Sequence, residues 1–94
     1  MAELGFEWDE DKAASNVVKH GVYFERAILI FDSERIEQID DRESYGEERI
    51  IALGRVGMEV YRVVYTQRGD ILRMISAQKA SKHERENYYR QIFT

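Results

Sequence analysis

Ala13, Ala14, Val17 and Val18 recur one and four positions apart, and this spacing predicts a helix over residues 10–20 with one apolar face. Asp9 stands before it as a side-chain cap, and Glu10 and Asp11 occupy a first turn where the helix dipole favours acids. Lys19 and His20 fill the last turn, and Gly21 supplies the stop. Phe24, Ala27, Ile28 and Phe31 follow at the i, i+3, i+4, i+7 spacing of a second short helix. The period then changes. Ile36 and Ile39 among polar neighbours predict a short edge strand, and residues 40–46 a polar loop. Residues 49–55, 58–66 and 71–77 are rich in Ile, Val and Tyr and predict three more strands, with Gly57 and Gly69 in the turns between them. Ser81 and Glu84 have the spacing of a capping box, opening a last helix with Tyr88 and Ile92 on one side.

This order implies an α+β domain: two N-terminal helices, an antiparallel meander of about four strands and a C-terminal helix. Residues 6–8 form an optional extra strand. At 94 residues the chain makes one domain, 1–94, which buries somewhat more than roughly 60% of its unfolded surface. Met1 to Gly5 lacks the pattern of a signal peptide, and the longest apolar run, Ala27 to Phe31, is too short to span a bilayer. The absence of cysteine leaves no disulfide or thiolate site and fits a reducing cytoplasm.

Charge changes the picture more than composition does. The net charge is −4, yet residues 1–48 hold 5 Lys/Arg and 14 Asp/Glu, whereas residues 49–94 hold 9 and 4. A polyanion responds to local potential, so a cationic face on the second half suits phosphate binding. Ion pairing between the halves accounts for the same pattern.

His20 is the side chain best suited to exchange protons near neutral pH. The helix end explains both Lys19 and His20 without chemistry, and that reading stands first on the residues alone. His83, in an exposed first turn, reads as surface. The two histidines lie 63 positions apart and offer no metal-ligand spacing, so no metal or cofactor is expected. No Gly-rich phosphate loop or nucleophile motif is present. What remains is a set of cations: Arg55, Arg62, Arg68, Arg73, Lys79, Lys82 and Arg85. Arg73 interrupts an apolar strand, so it must meet solvent, a carboxylate such as Glu48 or Glu84, or a ligand whose phosphate its planar fork fits. Trp8, Tyr61, Tyr65, Tyr88 and Tyr89 suit base stacking, but in so small a domain Trp8 reads as core. Arg68-Gly69-Asp70 is a hairpin turn.

Four segments in this order carry a resemblance: Phe6-Glu7-Trp8-Asp9 through Lys19-His20-Gly21-Val22, then Glu48-Arg49-Ile50-Ile51-Ala52-Leu53-Gly54, then Val63-Val64-Tyr65-Thr66-Gln67-Arg68-Gly69-Asp70, then Ile75-Ser76-Ala77-Gln78-Lys79-Ala80. Together they resemble the BrnT family of bacterial toxins, over nearly the whole chain. The resemblance implies the compact fold of RelE-type toxins and a ribonuclease that stops translation. It also implies neutralisation by a BrnA-like antitoxin with a ribbon-helix-helix part, contact with operator DNA only through that antitoxin, and an oligomeric complex. With that activity, Lys19 or His20 would transfer protons and Arg73 with Lys79 would hold the phosphate of a metal-independent cleavage. Arg55, Arg62, Arg68, Lys82 and Arg85 would bind the RNA, and the antitoxin would cover Arg68, Arg73, Lys79 or Arg85. Two departures stand out. Family members often carry Ser-Ala-Arg where this chain has Ser76-Ala77-Gln78, and a more basic final helix than one with Glu84 and Glu86. Tyr23 also replaces the usual capping residue. The alternative function is a non-catalytic partner that modulates the antitoxin's DNA binding.

Overall fold

The computed structural model describes residues 5–94, so most of the Met1 to Gly5 segment read for a signal peptide lies outside the described residues. The chain runs β1 (Gly5–Glu7), α1 (Glu10–His20), α2 (Phe24–Ala27), a 3-10 helix (Ile28–Asp32), β2 (Arg35–Ile39), β3 (Ile50–Val56), β4 (Glu59–Arg68), β5 (Ile71–Lys79) and α3 (Lys82–Ile92). The α+β class and the antiparallel meander β2–β5 are as the pattern predicts. Two corrections follow from β1. It joins the sheet parallel to β5, giving a five-stranded mixed sheet in the order β1-β5-β4-β3-β2. Both early helices therefore lie after the first strand rather than ahead of the whole sheet. Three residues are too few for a periodicity signal, and their pairing partner lies more than sixty positions away.

The caps of α1 form as expected. Asp9 accepts from the N–H groups of Asp11 (2.9 Å) and Lys12 (3.1 Å), and Gly21 adopts the left-handed conformation. Its buried face differs from the predicted stripe. Val18 is 87% exposed and Asn16 is buried, because α1 leans on the backbone of β5, which requires hydrogen bonding rather than apolar contact. The second helix shortens for a related reason. After one α-turn it tightens into 3-10 geometry, whose three-residue repeat stacks Ile30 beneath Ala27. Tyr23 opens it without a side-chain cap.

One sheet face packs against α1, α2 and the 3-10 helix through Phe24, Ala27, Ile30, Ala52, Val63, Leu72 and Met74. Trp8 belongs to this core, edge-on to Phe24 at 5.7 Å. The other face carries Leu53 and Val60 under Tyr88 and Ile92 of α3, whose capping box at Ser81 and Glu84 is complete. Helix α3 covers the β2–β3 side of that face. The β4–β5 side stays open, and this asymmetry positions the site described below.

Gly54 is needed for close packing. A β-carbon there would stand 2.7 Å from the Cβ of Ile30, itself fully buried. Both atoms adjoin backbone, so neither can rotate away. Gly54→Ala is expected to lower stability by about 1–3 kcal/mol, read as an earlier midpoint in urea unfolding with unchanged slope.

Candidate nucleic-acid interface

Strands β4 and β5 alternate their side chains between the two faces, and a β-bulge interrupts the pairing where Met74 faces Tyr65 and Ser76 faces Val64, leaving Ile75 unmatched. Before and after that point, Arg73 (opposite Thr66), Ser76 and Gln78 (opposite Arg62) share the open face, while Leu72, Met74 and Ala77 point into the core. Arg73 is half-buried and meets Glu7 of β1 at 3.4 Å. Arg68 meets the same carboxylate at 3.8 Å and Glu47 at 3.3 Å. Arg62 meets Glu84 of α3 at 3.2 Å. The open face is thus a strip of arginines, each beside a carboxylate.

The loop supplying Glu47 is held by Asp40, whose side chain is only 1% exposed. The Arg42 guanidinium grips both oxygens of Asp40 at 2.7 Å and Tyr45 adds a third bond. Arg42 holds this carboxyl well below the usual carboxylate range. Because the folded state depresses the carboxyl's pKa, its contribution to stability is complete above about pH 4, the unfolded value, and is lost as pH falls below it. Wild type and Asp40→Asn are therefore expected to differ in melting temperature at pH 7 and to converge as the pH is lowered through 4 toward 2.

On the far side of β5, the strand has no neighbour beyond the reach of β1, and α1 takes that place. The Asn16 carboxamide donates to the carbonyls of Ala77 (2.8 Å) and Val22 (2.9 Å) and accepts from the Ala77 N–H (3.0 Å). It acts as a one-residue strand. Beside it lies a cavity of about 230 Å³ lined by Lys12, Ser15, Lys19 and His20 of α1 and by Ile75 and Ser76 of the bulge. Lys19 and His20 are exposed and have no salt-bridge partner among the described residues.

The cations named from sequence therefore separate into groups. Lys19 and His20 gather at the bulge, and Arg73 lies three residues along the same strand, roughly 10 Å away. Arg62 and Arg68 share the face of Arg73. Lys79 does not: it stands opposite Tyr61, on the other face, beside Glu59 at 3.6 Å and roughly 20 Å along the strand from Arg73. Lys82 pairs with Glu86, and Arg85 donates to the Ala80 carbonyl. Arg55 and His83 are exposed. The partner of Arg73 is Glu7 rather than Glu48 or Glu84. Sequence reasoning missed Asn16, Glu7 and Ser76. Asn16 left one signal, an amide placed mid-helix beside apolar positions, where a residue that competes for backbone bonds is disfavoured without a purpose.

Residues 8–84 match the model of a family described as the ribonuclease toxin BrnT of type II toxin–antitoxin systems. The chain belongs to the BrnT family. The match spans α1, both helical turns after it, β2–β5 and the capped start of α3, so it includes every element that builds the bulge and the arginine strip apart from β1. No individual curated protein matches the chain. As a BrnT-family member it is of the ribonuclease toxin class, and no helix among its described residues is long and apolar enough to cross a membrane.

Proposed function

We propose that this BrnT-family chain is a metal-independent endoribonuclease that stops translation, with its reacting centre at the β5 bulge. The observation that carries the reading is the bulge itself. It brings the free proton carriers Lys19 and His20 to one side of Ser76 while Arg73 and Arg62 flank the other. Cleavage by this route uses the RNA's own 2′-OH. Lys19 or His20 accepts its proton, the oxygen attacks the adjacent phosphorus, and the 5′-oxygen leaves with a proton returned by the other group. Arg73, with Arg68 beside it, stabilises the crowded phosphorane through its fork. Lys79, on the other face, does not share that phosphate and is left to bind the flanking strand.

A BrnA-like ribbon-helix-helix antitoxin neutralises the activity in the cytoplasm by covering the strip, joins it in an oligomeric complex and alone contacts operator DNA. The non-catalytic alternative draws support from one observation: Glu7, Glu47 and Glu84 already occupy the arginines. Purified protein incubated with RNA in EDTA separates the two readings. Cleavage persisting in chelator fits the enzyme. Intact RNA, together with harmless expression in cells lacking the antitoxin, fits the binding partner and refutes catalysis.

A further inference from the structure

Between α3 and the open face lies a second groove, of about 370 Å³, that the proposed cleavage does not use. Its floor is Ile51 and Leu53, and its wall is the Arg62–Glu84 ion pair followed by Asn87 and Gln91. Glu84, Asn87 and Gln91 fall at i, i+3 and i+7, so they line one side of α3. The groove thus has an apolar floor, with Arg62, Glu84, Asn87 and Gln91 as donors and acceptors on one side and Glu37 and Gln38 of β2 on the other. The volume sits at the small end of ligand sites. Arg62 is 16% exposed and Glu84 27%, so hydrogen bonds made there are shielded from water.

We propose that this groove binds an unpaired guanine base of the RNA. A base has an apolar face for Ile51 and Leu53 and a hydrogen-bonding edge for the rim. Among the four bases, guanine presents the adjacent N1–H and N2–H donors that a carboxylate accepts together, beside the O6 and N7 acceptors that suit arginine. Glu84 retains the capacity to accept them. One oxygen takes the Ser81 N–H and the other faces Arg62, and each carboxylate oxygen has two lone pairs. The Asn87 and Gln91 amides bond to one another at 3.1 Å and keep further donors and acceptors for the same edge. Arg62 is four residues from Thr66, the partner of Arg73, so the groove opens on the strip roughly 13 Å from the phosphate site, within reach of neighbouring nucleotides. Arg62 and Glu84 lie within the span of the family match, and Asn87 and Gln91 beyond it. The proposal rests on the ribonuclease reading for the identity of the strand.

The test is an NMR titration of the labelled protein with GMP, AMP, CMP and UMP in turn, alongside sequencing of an RNA library after cleavage. GMP is expected to shift the side-chain amides of Asn87 and Gln91 and to bind about tenfold more tightly than the others. Glu84→Gln keeps the capping box, which accepts glutamine equally, but removes the paired acceptor. It is expected to bind GMP about tenfold more weakly and lose the discrimination. Equal response to all four nucleotides, silent amides, or undiminished GMP binding by Glu84→Gln overturns the proposal. So do amides that shift only with an antitoxin peptide, which would assign the groove to a protein partner. Guanine binding with intact RNA retains the guanine site and refutes the ribonuclease reading, whereas cleavage without any guanine preference does the reverse.

Discussion

Arg73→Ala is expected to slow RNA cleavage about 100- to 1,000-fold, the loss typical of removing one donor aimed at developing charge. The fold should survive. Arg73 is half-buried at the edge of β5, and its contact with Glu7 involves side chains 30% and 42% exposed, where an ion pair adds little stability. Arg73→Lys keeps the charge but loses the planar fork, so partial recovery is expected rather than full rescue. The measurement is the single-turnover rate on a defined RNA, with thermal melting as the control for folding. Cleavage within a few-fold of wild type in a folded Arg73→Ala protein would show that the phosphate sits elsewhere, with Arg62 and Arg68 as the next cations on that face.

The second large effect concerns stability. Asn16→Leu keeps an apolar residue of similar size but strands the Ala77 N–H and the carbonyls of Ala77 and Val22, each of which now bonds to the carboxamide. An unsatisfied buried group costs about 1–3 kcal/mol, and water from the adjoining cavity relieves part of it, so a total loss of about 3 kcal/mol is expected. That is a large share of the roughly 5–15 kcal/mol that holds a typical domain together. Urea unfolding reads it directly. A loss below about 1 kcal/mol would mean that water replaces the amide and that Asn16 does not fasten α1 to the sheet.

Much of this architecture was legible because it is local. Asp9, Gly21, Ser81 and Glu84 announce helix ends through bonds made within a few residues, and all four act as the pattern implies. The hairpin at Gly69 likewise needs only a glycine with positive φ, here 62°, between paired strands. What escaped was long-range. The parallel pairing of β1, the partner of Arg73 and the burial of Asn16 in place of Val18 all depend on which distant backbone a segment meets. The bulge escaped as well, since Met74 and Ile75 are both apolar and the change of core-facing positions from Leu72 and Met74 to Ala77 carries no mark of its own in the sequence. That limited the site more than the fold. The resemblance assigns Arg73 and Lys79 to one phosphate, yet the added residue at Ile75 and the distance along β5 place them on opposite faces.

The parallel strand also sets an order of events during synthesis. β1 has nothing to pair with until Ile71–Arg73 appears, and Asn16 must wait for Ala77. At about 5–20 residues per second, the first helix leaves the ribosome several seconds before the strand that fixes it. Closing so long a loop costs entropy that only β5 repays, so the early segment gains its place when the meander is nearly complete. The bulge, the arginine strip and the end of α1 therefore cannot come together before β5 has been made.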